Sequence, residues 1–245
     1  MPLDQFSLTS AEVTRREYAE LLLEEPCMEA AGYSYDVPWR DLSATDRPSF
    51  NGVHRRLYTV ELAHQWGYHI ADTPETTFDD FLKFGESVSA LSEAGANTLR
   101  GCNETARATI PLIHVEANWV AGLANQAYLD ALNDDEVLEA AKLWKECMKP
   151  IGVADLPTSP ADMPSPSLSA DVNELHASAR EKTVAVADVK CRESSGYAEA
   201  LYQAEWRLQL VLMEQNADEL TRVGSLLRDN AAIVDEVIAS HPVSH

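Results

Sequence analysis

The C-terminal segment restricts the architecture more than any other part of the chain. From residue 197 to about 239 there is no proline and one glycine, Gly224. Leu220, Val223, Leu227, Ala231, Val234 and Ile238 recur there every three or four residues. That period puts them on one stripe of an α-helix and does not fit the two-residue period of a strand. A helix of this length would extend roughly 60 Å. Its apolar seam has to be covered by a helix of the same chain or of another subunit. The spacing predicts one long helix, continuous or bent only near Gly224.

The same period recurs upstream. Thr9-Ser10-Ala11-Glu12 has the form of a capping box, and Tyr18, Leu21, Leu22 and Met28 follow on one face. Pro26 should kink that helix near its end, and Gly32 should cap it. Val53, Leu57 and Val60 mark a short helix that should stop at Gly67, and Phe78, Phe81, Leu82, Val88 and Leu91 mark helical pieces interrupted at Gly85. Leu112, Val115, Trp119, Leu123 and Ala127 predict a helix over 103–131, bent at Pro111. After a cap at Asn133-Asp134-Asp135-Glu136, Val137, Leu138, Ala141, Trp144 and Met148 predict a return helix in an αα-hairpin.

Pro150, Pro157, Pro160, Pro164 and Pro166 then exclude regular helix or central strand. Residues 150–168 read as an extended crossover. A further helix, capped within 171–174, carries Val172, Leu175, Ala179, Val186 and Val189 to Cys191, and Ser194-Ser195-Gly196 breaks it. The expectation is an all-α helical bundle, a single domain over residues 1–245, with a Pro-rich crossover and a long last helix.

Hydrophobic residues make up 45% of the 245, enough for a sizeable core. No window approaches the ~18 uninterrupted apolar residues of a membrane span. Asp and Glu outnumber Lys and Arg by 40 to 19, a formal charge of -21. Such a chain repels phosphate backbones and anionic lipid, so no nucleic-acid partner is expected and basic peptides or proteins are favoured.

Cys27, Cys102, Cys147 and Cys191 are dispersed, with no CxxC pair. In an acidic, lysine-poor chain this points to two disulfides and an oxidising compartment, against the alternative of four buried cytosolic thiols. Cys27-Met28-x-x-x-Gly32 and Cys147-Met148-x-x-x-Gly152 echo one another. In each, Cys staples a helix end, Met packs and Gly turns the chain. Each of these cysteines is followed by one bordering a later helix, which favours Cys27–Cys102 with Cys147–Cys191. The crossed pairing, Cys27–Cys147 with Cys102–Cys191, is the runner-up. Cys102 and Cys147 lie at unequal distances from the hairpin turn, roughly 25 Å apart along straight antiparallel helices, beyond the reach of a disulfide.

Several segments carry a family resemblance. They are Cys-Met-x-x-x-Gly at 27–32, Ala63-His64-Gln65-Trp66-Gly67-Tyr68-His69, Gly101-Cys102, Trp144-Lys145-Glu146-Cys147-Met148 and Ala187-Asp188-Val189-Lys190-Cys191. With the order of the four cysteines, they resemble an uncharacterised family of exported actinobacterial proteins, often lipoproteins. The resemblance implies an extracytoplasmic location, secreted or lipid-anchored at the cell surface, and no activity. Met1-Pro2-Leu3-Asp4 shows neither a leader nor a lipobox cysteine, so the sequence reads as a mature form whose leader was replaced by a start Met.

Motifs for chemistry are sparse. His64 and His69, with Glu61 one turn before His64, come nearest to a metal cluster, but Gly67 separates them and no HExxH or third ligand exists. No metal or cofactor is expected. Asp130, Asn133, Asp134, Asp135 and Glu136 lack the spacing of an EF-hand and read as a solvated, capped turn. There is no GxSxG, SxxK or Gly-rich phosphate loop. Tyr33, Tyr35 and Trp39, together with Trp66 and Tyr68, form the candidate recognition surface, since Tyr and Trp are favoured anchors and loops carry binding residues. The competing role for these rings is to fill space beneath irregular loops.

The expected function is therefore non-catalytic binding outside the cytoplasm, with a cationic peptide or another envelope component as ligand. One rival is an enzyme with a site of scattered Glu, Asp and His within the bundle. The other is a cytosolic scaffold that dimerises through its last helix.

Overall fold

The computed structural model describes residues 1–42, 59–69, 78–168 and 176–241. Its α-helices, in chain order, are α1 (Ser10–Ala30), α2 (Val60–Trp66), α3 (Phe78–Ser89), α4 (Glu93–Thr109), α5 (His114–Ala131), α6 (Asp135–Met148), α7 (Ala179–Ser194), α8 (Tyr197–Gln215) and α9 (Ala217–Ser240). No strand occurs among the described residues, and the fold is all-α. None of these helices is long and apolar enough to cross a membrane. Val53, Leu57 and the 171–175 segment lie outside the described residues.

Local chemistry sets many helix ends. Thr9 Oγ1 accepts from the Glu12 amide at 3.2 Å, and Glu12 Oε2 accepts from the Thr9 amide at 2.7 Å, closing the capping box reciprocally. At the other end of α1, Gly32 takes φ +85°. The amides of Gly32 and Tyr33 donate to the carbonyls of Glu29 and Met28, the bond pattern of a Schellman motif. Asp134 caps α6 by accepting from the Glu136 amide.

The chain divides into two compact units. The α1 unit holds α1, α3, α4, the start of α5, and α9. There α1 packs against α4 and α9 around Tyr18, Leu22, Met28, Ile110, Val234 and Val237. The α7 unit holds α2, the rest of α5, α6, the Pro-rich segment, α7 and α8. Here α7 packs against α2, α6 and α8, and Trp144, Met148, Met163, Leu168, Val184 and Val189 form the core. Residues 132–134 turn the chain from α5 into α6, which then packs on α8 and α7, partners from further along the chain.

Each unit has one disulfide, with the favoured pairing. Cys27–Cys102 joins the end of α1 to α4 at a Cα separation of 5.8 Å, and Cys147–Cys191 joins the ends of α6 and α7 at 5.6 Å. The sequence echo has a shared structural meaning. Met28 and Met148 are both fully buried, and Gly32 and Gly152 both take positive φ.

Three expectations are corrected. The long last helix is divided at Asn216, not Gly224: Asn216 adopts φ -120°, ψ 24°, outside the α basin, and α9 starts afresh after it. Gly224 stays helical within α9, with the Phe6 ring at ordinary contact distance, Cε1 3.5 Å from where a Cβ would sit. The seam that follows is covered by α1 of the same chain, with Asn230 buried in place of Ala231. Second, Pro111 breaks the 103–131 helix instead of bending it. The residue before a proline is pushed out of the α region, and Ile110 sits at φ -111°, ψ 89°. Arg16 Nη2 and Asn230 Nδ2 then donate to the Pro111 carbonyl at 3.3 and 3.0 Å, supplying partners that the helix no longer provides. Third, α3 runs unbroken through Gly85.

The Pro-rich segment has short 3-10 turns at Lys149–Ile151, Pro160–Asp162 and Pro166–Leu168. It is no loose linker, because Val153, Met163 and Leu168 are buried in the α7 core.

Candidate functional site

The buried face of α7 carries charge. Glu181, Val184, Ala185, Asp188, Val189 and Arg192 are all buried, at helical spacing. Asp188 accepts from Trp144 Nε1 (2.9 Å), Tyr68 OH (3.2 Å) and Arg192 Nε and Nη2 (2.8 and 2.9 Å). Burial alone would lower the Arg192 pKa, but the Asp188 charge and hydrogen bonds outweigh it and hold the guanidinium above its ordinary value. Arg192 Nη2 also donates to the Pro160 carbonyl at 2.6 Å. The ion pair thus fastens the Pro-rich segment to α7.

Two turns earlier, Glu181 Oε1 accepts from the Tyr68 amide at 2.6 Å and meets His69 Nδ1 at 2.8 Å. Oε2 makes no hydrogen bond with a described residue. The carboxylate lies in the first turn of α7, where the helix dipole favours negative charge. Gly67 ends α2 at φ +60°, ψ -129°, and a Cβ there would collide with the Glu181 carboxylate. His64, by contrast, is exposed. The two histidines have separate surroundings, and among the described residues no group of three His, Cys, Asp or Glu could hold a metal.

The five aromatic candidates fall in both units: Tyr33, Tyr35 and Trp39 in the α1 unit, Trp66 and Tyr68 in the α7 unit. Tyr35 is buried, donates from its hydroxyl to Glu24 Oε2 at 2.5 Å and packs edge-on against Phe84. Burial and the adjacent Glu24 raise its phenol pKa. Tyr68 is buried and held by Asp188. Tyr33 and Trp66 are half-buried, and Trp39 is 48% exposed.

The α7 unit carries a groove lined by both apolar and charged residues. It encloses about 590 Å³ between the first turns of α6, the 158–162 segment and the start of α8. Val137, Ala141 and Tyr197 are its buried lining, and Leu138 adds an apolar shoulder. Asp135, Glu139 and Asp162 line it with exposed carboxylates. One cation, Lys142, also lines it, with Nζ 2.7 Å from Glu139 Oε2.

Tyr197 is 1% exposed, and its hydroxyl makes no hydrogen bond of good geometry. It lies beside the Ser159 hydroxyl and feels the Asp162 charge; burial is the main cause of its raised pKa. The phenol is therefore neutral, and Tyr197 lines the groove with its hydroxyl buried. Sequence reading passed over this site. Asp135 read as part of a solvated turn, and Tyr197 as the first residue of a helix. The only local signal was the acid-rich start of α6; that residues 158–162 face it is a tertiary fact.

No family model, no curated protein and no solved structure matches the chain.

Proposed function

We propose that this chain is an exported, non-catalytic binding protein, secreted or lipid-anchored at the cell surface, which captures a cationic peptide or another basic envelope component. The observation that carries this reading is the groove: an apolar floor of binding-site size, ringed by Asp135, Glu139 and Asp162 and answered by one lysine. A net charge of -21 steers basic partners towards it. The two disulfides fit an oxidising compartment, and the resemblance to exported actinobacterial proteins agrees with that location.

Fluorescence anisotropy with a labelled lysine- and leucine-containing peptide tests the proposal. The peptide should bind, an acidic counterpart should not, and affinity should fall as salt rises from about 50 to about 500 mM. The triple variant Asp135→Asn, Glu139→Gln, Asp162→Asn should lose binding while keeping its melting temperature. Salt-indifferent binding, or full binding by the triple variant, would refute the assignment.

A further inference from the structure

We infer that the groove selects lysine over arginine, seating a primary ammonium among Asp162, Ser159 and Tyr197. This rests on the groove being the cation-binding site and goes further, to the chemistry of the cation. The polar groups of the groove are mostly acceptors. Asp135, Glu139 and Asp162 accept only, Ser159 Oγ already accepts from the Ala161 amide at 3.2 Å, and the buried Tyr197 hydroxyl has the Ser159 hydroxyl beside it but no hydrogen bond of good geometry. A buried phenol so poorly partnered is costly, and a ligand that donates to it would relieve that cost. The Asp162 charge beside it favours a cationic donor.

Two features separate ammonium from guanidinium. The floor formed by Val137, Leu138 and Ala141 is apolar, which suits the four methylenes of a lysine stem. The acceptors come from different elements, Asp162 and Ser159 from the Pro-rich segment and Tyr197 from α8. An ammonium has three rotatable donors that can reach divergent acceptors, whereas a guanidinium is a rigid planar fork suited to one carboxylate. The same unit shows the fork mode at Asp188, which takes both Nε and Nη2 of Arg192. In the groove, Lys142 already places a primary ammonium on Glu139. A volume of about 590 Å³ exceeds one side chain, so the ligand is a peptide segment that presents the lysine.

The test uses the full chain with disulfides intact and three labelled probes of one Leu/Lys peptide: lysine, all-arginine and Nε-acetyl-lysine. The lysine peptide should bind about tenfold tighter than the arginine peptide, the scale of one charge-assisted hydrogen bond, and the acetylated peptide should not bind. Tyr197→Phe should weaken the lysine peptide about tenfold and bring the two cationic peptides together. Ser159→Ala should narrow the preference in the same direction, and serves if the phenylalanine variant melts early. Lys142→Met should tighten lysine binding by removing the competing ammonium. Equal binding of the lysine and arginine peptides, unchanged by Tyr197→Phe, would overturn the lysine inference and leave the acidic groove standing. Absence of binding by either cationic peptide would overturn both.

Discussion

The two units bury apolar surface in similar ways, each around helices clasped by a disulfide, but they treat polar groups differently. Of the eight buried polar or charged side chains among the described residues, only Glu24 and Asn230 belong to the α1 unit. The α7 unit holds the other six, including Glu181, Asp188 and Arg192 along one helix. In the α1 unit each buried polar group answers a local need: Asn230 serves the carbonyl at the Pro111 break, and Glu24 accepts from Tyr35. In the α7 unit the buried charges of α7 hold parts of the chain that lie outside the α-helices. Arg192 fastens Pro160 and Glu181 fastens the chain after α2. An apolar contact would be tolerant of sliding, whereas a charged hydrogen bond fixes position to a few tenths of an ångström. The residues around Pro160 form one wall of the groove, so the buried charge positions the proposed binding surface.

The largest effects test whether the two clasps are equivalent. In the loop-entropy model, bridges spanning 75 and 44 residues contribute about 4.5 and about 4 kcal/mol. The double variant Cys27→Ser, Cys102→Ser should therefore lose slightly more stability in denaturant unfolding than Cys147→Ser, Cys191→Ser. A reversed order would show that strain or residual structure outweighs loop length.

Next in size is Asp188→Ala, which strands the Arg192 guanidinium in the interior. The expected loss is about 3–5 kcal/mol, together with weaker cationic-peptide binding as Pro160 loses its anchor. A loss below about 1 kcal/mol would remove the contrast between the units.

Gly67→Ala should destabilise by about 1–3 kcal/mol, since it demands a glycine-only backbone and collides with Glu181. The control Gly101→Ala, where a Cβ meets nothing within 4 Å, should be neutral or slightly stabilising within α4. Equal effects would sink the close-approach argument.

The smallest effect lies in the α1 unit and depends on pH. Burial raises the Glu24 pKa above its ordinary 4.5, and the Tyr35 hydrogen bond only partly offsets this. The folded state therefore holds its proton to higher pH than the unfolded state, and stability falls as pH rises from the unfolded pKa through the folded one. Glu24→Gln removes this slope and keeps an acceptor for Tyr35. Its stability relative to wild type should increase between pH 4 and pH 7 in paired denaturant melts. A flat difference would mean that Glu24 ionises as readily folded as unfolded.

Helix ends were legible in the sequence wherever the deciding contacts span four or five residues. The Thr9–Glu12 box, the Gly32 turn and the stop at Gly67 need only their own neighbours, and the sequence contains those neighbours. The Cys-Met-x-x-x-Gly echo was legible for the same reason, and it carried the disulfide pairing with it. The α9 seam announced a helix that needed cover, because a 3.6-residue period is a property of the chain alone. The cover itself, α1, comes from some 200 residues away, and no local pattern designates it. Gly224 looks like the weak point of the last helix but stays within α9, and the break falls at Asn216, where the backbone leaves the α basin. The groove belongs wholly to the tertiary level. Its carboxylates come from α6 and a Pro-rich segment about 25 residues apart, and its phenol from the start of α8. A buried ion pair brings them together: Asp188 and Arg192 are already neighbours four residues apart on α7, but the Pro160 carbonyl that Arg192 holds lies 32 residues away and joins them only when the chain has folded.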